Sequence, residues 1–135
     1  MTASDPRPTG LRVLLVEDDP DLSRMLVEAL VANGHEARVA HDALSGLTAC
    51  AEFNPSVALL DIGLPGMDGH ALAERLRTLP GMETLRIVAV TGYGGQASRR
   101  RSRTAGFDRH LVKPIDLGAL ERMLRAWVDE EAERR

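Results

Sequence analysis

Short apolar runs alternate with amphipathic segments along the chain. Five runs are too short to form helices and therefore predict β-strands. They are LRVLLV at 11–16, EARVA at 36–40, VALL at 57–60, LRIVAV at 85–90 and DRHLV at 108–112. The segments after the first, second, third and fifth runs carry apolar residues at helical spacing, whereas the segment at about 96–105 is polar. The pattern predicts five strand–helix units in series.

Aspartate precedes four of the five predicted helices. Such residues accept hydrogen bonds from the free N–H groups of a helix's first turn, so they mark helix starts. The four predicted N-caps are Asp19, Asp42, Asp68 and Asp116. The polar segment at 96–105 has almost no apolar face, so we expect this fourth helix to be the least stable element and the moving part of any switch.

The first, third and fourth strands are nearly all apolar, which is typical of strands covered on both faces. Strand–helix alternation with right-handed crossovers gives a parallel sheet wrapped by helices. We expect an α/β fold with a doubly wound five-stranded parallel sheet, a flavodoxin-like (βα)5 arrangement with strand order 2-1-3-4-5. Such sheets bind ligands at the carboxyl ends of their strands, where the strand order switches.

Length and composition narrow the class of protein. The 135 residues suit one domain, which we place at 11–130, after a disordered lead-in at 1–10 and before a charged helix end at 131–135. The net charge of −3 argues against a nucleic-acid partner. Cys50 cannot form an internal disulfide, and no apolar run suits a signal peptide or a membrane span. We expect a soluble cytoplasmic protein with no membrane partner, and we interpret SRRRSR at 98–103 as a solvated helix face and His35 and His41 as surface residues.

Polar side chains stand at the carboxyl ends of four predicted strands. They are Glu17 and Asp18 after the first strand, Asp61 after the third, Thr91 after the fourth and Lys113 after the fifth. Three converging carboxylates repel one another unless cations lie among them. Lys113 is the one lysine beside sixteen arginines, and Mg²⁺ is a cation that suits a site with few oxygen ligands. A carboxylate in such a site can attack a phosphoryl group to form an aspartyl-phosphate.

Four motifs in this order and spacing carry a family resemblance. VLLVEDDP, LLDIGLPGMDG, AVTGYG and HLVKP resemble the receiver domain of response regulators in two-component phosphorelay signalling. The resemblance covers roughly residues 11–128, nearly the whole chain.

The resemblance implies a role for each site residue. Asp61 corresponds to the phosphoryl acceptor, Thr91 to the switch hydroxyl and Lys113 to the lysine that pairs with the phosphoryl group, before a proline that is typically cis. The implied ligands of Mg²⁺ (or Mn²⁺) are Asp18 directly, Glu17 through water, Asp61, and the backbone carbonyl of Gly63.

The implied function is that of a phosphoprotein which catalyses its own phosphorylation and dephosphorylation. A histidine kinase or a histidine phosphotransfer protein would be the donor. The surface of the fourth helix, fifth strand and last helix would then signal by protein contact, or the phosphoryl group would pass onward. We expect a single-domain regulator that is a monomer or a weak phosphorylation-dependent dimer.

His110 departs from the usual receiver pattern, and two other classes of protein are alternatives to it. His110 stands where an aromatic residue often rotates on activation, and the bulky Tyr93 is predicted to shield the acyl phosphate from water. A flavodoxin-like ligand-binding module would need a phosphate-cradling loop after the first strand, but the acidic 17–19 segment would repel phosphate. A haloacid-type Mg²⁺ phosphatase would need a second aspartate where Gly63 stands.

Overall fold

The computed structural model describes residues 10–64, 66, 68–92 and 106–133. Its strands are β1 Arg12–Val16, β2 Glu36–Ala40, β3 Val57–Asp61, β4 Arg86–Thr91 and β5 Arg109–Val112. Its helices are α1 Pro20–Ala32, α2 Ala43–Phe53, α3 Gly69–Thr78 and a C-terminal helix, Leu117–Glu133. The predicted lead-in, the predicted fourth helix at 96–105 and Tyr93 lie outside the described residues, apart from Gly10.

The five strands form one parallel sheet in the order β2-β1-β3-β4-β5. The predicted fold class and strand order are therefore confirmed. The order reverses between β1 and β3, which are hydrogen-bonded neighbours with Val16 opposite Leu60. This is the switch point of the sheet, and the residues that follow Val16 and Leu60 in the sequence lie side by side at its carboxyl edge.

Alternate side chains of the central strands enter two separate cores. Leu14, Ala58 and Leu60 pack with α2 and α3 on one face. Val13, Val57 and Leu59 pack with α1 and the C-terminal helix on the other face. Because β3 is buried at every position, its backbone is fixed from both sides, and so is the position of its last residue, Asp61.

The four predicted aspartate caps are all in place. Asp19 accepts from the N–H groups of Asp21 and Leu22, and Asp42 accepts from Ser45. Asp68 accepts from the N–H of His70, and Asp116 accepts from the N–H of Ala119. These bonds satisfy first-turn donors that the helix itself leaves free. They begin four helices directly after loops at the carboxyl edge of the sheet.

His35 corrects one prediction, because it is buried with 4% exposure and is not a surface residue. Its Nδ1 accepts the N–H of Leu11 at 3.0 Å. The ring must therefore carry its proton on Nε2, which donates to Oε1 of Glu121 at 2.8 Å. Arg125 bonds both Glu121 and the carbonyl of Asn33. The imidazole thus joins the start of β1 to the C-terminal helix, at the amino-terminal edge of the sheet, opposite the acidic cluster.

Within the described ranges, no helix has the length and apolar character needed to cross a membrane.

Candidate functional site

The ends of four strands bring the predicted site residues to the carboxyl edge of the sheet. Glu17 directly follows β1, and its N–H bonds the carbonyl of Ala40 at 3.0 Å, so β2 fixes its backbone. Asp61 is the last residue of β3, one position further into the strand than the sequence suggested. Thr91 ends β4, and its carbonyl accepts the N–H of Lys113 at 2.7 Å. Hydrogen bonds of the sheet therefore align the backbones that carry the site.

Three carboxylates meet at this edge. One oxygen each from Glu17, Asp18 and Asp61 lie within 4.8 Å of one another. Glu17 and Asp61 are buried, with 1% and 7% of their surface exposed, whereas Asp18 faces solvent. No other such cluster of three occurs in the part of the chain that the structure describes. The predicted convergence is thus present, with one open side toward water.

Lys113 bridges the two buried carboxylates. Its Nζ lies 3.2 Å from Oε1 of Glu17 and 3.1 Å from Oδ2 of Asp61. The other oxygen of Asp61, Oδ1, accepts the N–H of Gly63 at 2.8 Å. Both oxygens of the buried Asp61 carboxylate are therefore hydrogen-bonded, which compensates the cost of removing them from water.

The Lys113–Pro114 peptide bond is cis, as the receiver resemblance implied.

The surroundings shift the pKa of two site residues in the same direction. Burial, and next the charge of Asp61, raise the pKa of Glu17, although the N–H of Asp19 and Lys113 act against this. Burial alone would lower the pKa of Lys113, but its hydrogen bond to Asp61 and the negative charges of Asp61 and Glu17 raise it. The site therefore holds more negative charge than one ammonium group balances, which favours a further cation.

The donor set matches the preference of a hard divalent cation. Three carboxylates supply oxygens within 4.8 Å of one another, and the exposed side at Asp18 leaves room for water ligands. Mg²⁺ binds through a few carboxylates and retains several waters. The residues present therefore fit the predicted ion.

His41 makes a contact with the acidic loop that the sequence did not predict. It is exposed, as predicted, but its Nδ1 donates to the carbonyl of Glu17 at 3.0 Å and so helps to hold the acidic loop. Its place in the sequence could have revealed this, because it follows directly after β2, the neighbour of β1 in the sheet.

His110, at the position of the rotating aromatic residue, lies half-buried on β5 beside other rings. Its ring centroid is 6.4 Å from that of Phe107, and Phe107 makes an edge contact with His70 at 5.6 Å. His70 also bonds the Asp68 carboxylate through Nδ1 at 2.8 Å. A row of rings therefore connects the start of α3 with the middle of β5.

Fold and site together define a doubly wound α/β domain with an acidic cluster and a lysine at its switch point. Comparison with known proteins narrows this class. The model of the response regulator receiver domain matches residues 13–125.

Relatives of known sequence agree with the match. A protein of 14.6 kDa from Leptolyngbya boryana is 34% identical over 115 residues, which are 85% of this chain and 88% of that protein. The transcriptional regulatory protein TctD of Salmonella typhimurium is 34% identical over 122 residues, which are 90% of this chain and 54% of TctD. The sensor histidine kinase RcsC of Salmonella typhi is 31% identical over 119 residues, which are 88% of this chain but only 12% of that kinase.

Solved structures give the same result. A CheY-like receiver domain protein from Methanospirillum hungatei superposes with a TM-score of 0.81 at 29% identity, covering 92% of this chain and 98% of that one. The receiver domain of the sensor histidine kinase PA1611 from Pseudomonas aeruginosa, crystallised with a magnesium ion in its active site cleft, gives a TM-score of 0.79 at 26% identity, over 89% of this chain and 98% of that one. The chain belongs to the response regulator receiver domains of two-component signalling.

Proposed function

We propose that this receiver domain accepts a phosphoryl group on Asp61 from a phosphohistidine of a partner protein, with Mg²⁺ bound beside it. One observation carries the proposal above the others. Asp61 is a buried carboxylate at the switch point, with Lys113 Nζ at 3.1 Å and the oxygens of Glu17 and Asp18 within 4.8 Å. A loop acid without a chemical role would not need this surrounding.

The transfer itself requires a nucleophile, alignment and charge neutralisation. An Asp61 carboxylate oxygen attacks phosphorus, and the P–N bond of the donor breaks, with its electron pair returning to the imidazole nitrogen. The buried end of β3 and the N–H of Gly63 fix the orientation of Asp61 before the donor arrives. Bound Mg²⁺ would neutralise charge on the phosphoryl oxygens, held by Asp18 and Asp61, by Glu17 through water, and by the carbonyl of Gly63.

Lys113 and Thr91 act on the product. Lys113 already contacts Asp61, so it can pair with a phosphoryl oxygen after a small movement and leave Glu17. Thr91, buried at the end of the neighbouring strand, supplies a hydroxyl donor. Because the two residues share a backbone hydrogen bond, a displacement of Thr91 moves the start of the β5–C-terminal-helix loop with it. The signalling face would be the predicted fourth helix, β5 and the C-terminal helix.

The partner is a histidine kinase or a histidine phosphotransfer protein. Among the relatives, this domain matches part of a transcriptional regulatory protein, TctD, and part of a sensor histidine kinase, RcsC. The output is a protein contact or onward transfer of the phosphoryl group. By the same chemistry, the domain would catalyse loss of its own phosphoryl group when water replaces the donor.

A small acyl-phosphate donor tests the proposal without a partner. The protein is incubated with acetyl phosphate and Mg²⁺, and its intact mass is measured. We expect one phosphoryl group per chain in the wild type and none in Asp61→Asn. Asp116→Asn is a matched control, because it changes an exposed helix cap on another loop, and it should be phosphorylated normally. No adduct in the wild type with acetyl phosphate or with other acyl-phosphate donors would refute the proposal.

A further inference from the structure

Two glycines in the loop after Asp61 are required for different reasons. Gly66 has a φ of +86°, and a Cβ built on it would meet nothing within 4 Å, so this glycine supplies a backbone conformation. Gly69 is buried at the first position of α3 and has no such φ. A Cβ on Gly69 would lie 2.8 Å from Cα of Ile62, 2.9 Å from its Cβ and 2.9 Å from its Cγ2. Gly69 therefore supplies space.

Ile62 lies between two residues of the proposed site. It follows Asp61, the proposed acceptor, and precedes Gly63, the proposed carbonyl ligand. Its own N–H bonds the carbonyl of Val90 at 3.1 Å, and the N–H of Gly63 bonds Oδ1 of Asp61 at 2.8 Å. β4 thus holds the turn at 61–63 on one side, and the first residue of α3 packs directly against it on the other.

We infer that Gly69 is a positioning residue for phosphoryl transfer. The backbone at the start of α3 has no side chain at Gly69 and packs against Ile62. This packing sets the orientation of the Asp61 side chain and the position of the Gly63 carbonyl. The inference rests on the proposed function of Asp61 and adds a residue to it that touches neither the phosphoryl group nor the metal.

The contact between Gly69 and Ile62 is tight because the core residues and the N-cap of α3 hold the helix in place. Leu72 and Leu76 of α3 are buried in the core with 1% and 0% exposure, and Asp68 caps the first turn. A methyl group at position 69 would need roughly 3.5–4.0 Å to each carbon of Ile62. Since α3 is held by its core residues and β3 is buried at every position, Ile62 and Gly63, which follow β3, are the part that must move. Misplacement of reacting groups by about 1 Å can cost on the order of 100-fold in rate.

Gly69→Ala tests the inference through ligand binding as well as reaction. We expect Mg²⁺ affinity, measured by calorimetry, to fall roughly threefold or more, and the acetyl phosphate reaction to slow roughly tenfold or more. The circular dichroism spectrum should remain that of the folded protein. A loss of stability with unchanged Mg²⁺ affinity and unchanged rate would mean that α3 moves instead of the turn, and would overturn the inference.

Gly81→Ala is the matched control. Gly81 has a φ of +82° and open space around it, and it lies after α3, at the opposite edge of the sheet. Alanine there strains the backbone and lowers stability, but Mg²⁺ affinity and the phosphorylation rate should equal those of the wild type. If this variant loses Mg²⁺ affinity to the same extent as Gly69→Ala, general destabilisation explains both results and Gly69 has no positioning role.

Ile62→Ala guards against a Gly69 variant that fails to fold, because it adds no atoms. It removes Cγ2 from the contact and should loosen the turn, with weaker Mg²⁺ binding and a smaller loss of rate. Combined with Gly69→Ala, it should recover little of the lost affinity, because the new methyl group still meets Cα and Cβ of residue 62. An Ile62→Ala variant that keeps wild-type Mg²⁺ affinity and the wild-type rate would refute the inference.

An error in the proposed function and an error in the positioning role would give different results. If the proposed function is wrong, the wild type itself gives no phosphoryl adduct. If only the positioning role is wrong, the wild type reacts and the Gly69 and Ile62 variants react equally well.

Discussion

Lys113 and Asp61 are joined by a 3.1 Å contact between Nζ and Oδ2, and the same ammonium group lies 3.2 Å from Glu17. A single cation therefore links β5 to the ends of β1 and β3 across the switch point. The sequence suggested that three carboxylates would repel one another. The structure places the one lysine of the chain between the two that are buried.

Lys113→Ala should destabilise the metal-free protein, because it leaves two buried carboxylates without their cation. We expect a loss of about 1–3 kcal/mol, smaller than for a fully buried pair since 30% of the lysine side chain is exposed. Urea unfolding measures it. Saturating Mg²⁺ should reduce the loss by restoring positive charge. Arg24→Ala, which removes an exposed cation on α1, should cost less and respond to Mg²⁺ as the wild type does. Equal losses with and without Mg²⁺ for Lys113→Ala would contradict this view.

Glu17→Gln should stabilise the metal-free protein near neutral pH. Burial raises the pKa of Glu17 above its ordinary value of 4.5, so the folded state binds this proton more tightly than the unfolded state. The contribution of Glu17 is therefore most favourable below pH 4.5 and is lost as the pH rises through the raised pKa. Relative to the wild type, the glutamine variant should gain about 1 kcal/mol across that interval.

Thermal unfolding from pH 4 to 8 without metal measures the difference. A gap between Glu17→Gln and the wild type that stays constant with pH would show that the ionised Glu17 is not penalised in the fold.

Glu121→Gln should change stability with pH in the opposite sense to Glu17→Gln, at the amino-terminal edge of the sheet. Burial alone would raise the pKa of Glu121, but the hydrogen bonds from His35 and Arg125, together with the charge of Arg125, lower it below 4.5. Its contribution is thus present above pH 4.5 and is lost as the pH falls through the lowered pKa. We expect the variant to be about 1 kcal/mol less stable at pH 7, with the gap closing in acid. Denaturant unfolding at pH 7 and pH 3 checks this, and a gap that widens in acid would contradict it.

Asp108→Ala should loosen the start of β5. Oδ2 of Asp108 accepts the N–H of Ile87 at 2.8 Å and also bonds Arg77 of α3 at 2.8 Å. Alanine leaves a part-buried backbone donor unpaired, so we expect a loss of about 1–3 kcal/mol. Asp108→Asn, which retains an acceptor for Ile87, should lose less. Hydrogen exchange of the Ile87 amide reports the contact directly, and unchanged protection in the alanine variant would refute it.

The fold and the cluster were predictable because both follow from regular patterns. The alternation of strands and helices predicts a parallel sheet, and residues after its strands share one edge. Asp61, Thr91 and Lys113 could therefore be placed together from their positions alone. The aspartate caps were predictable for the same reason, since their interactions are local.

The interactions that the sequence did not predict join distant segments. His35 lies in a polar stretch that resembles a surface turn, and only the packing of the C-terminal helix supplies Glu121 as its partner. Gly69 resembles a turn glycine beside Gly66, yet its role depends on close packing against Ile62, because an added Cβ would lie 2.8 Å from Cα of Ile62. Such close approaches follow from the tertiary arrangement and have no periodic signal.

Chemical trapping of the phosphoryl group tests the central claim most directly. Borohydride delivers one hydride to the carbonyl carbon of an aspartyl-phosphate, which releases phosphate and leaves an aldehyde. A second hydride and a proton from water convert the aldehyde to the alcohol of homoserine. The protein would be phosphorylated with acetyl phosphate and Mg²⁺, reduced, digested and sequenced by mass spectrometry. We predict homoserine at position 61 and at no other acidic position. Reduction at Asp18 or at Glu17, or a phosphorylated protein with an unmodified Asp61, would contradict the account.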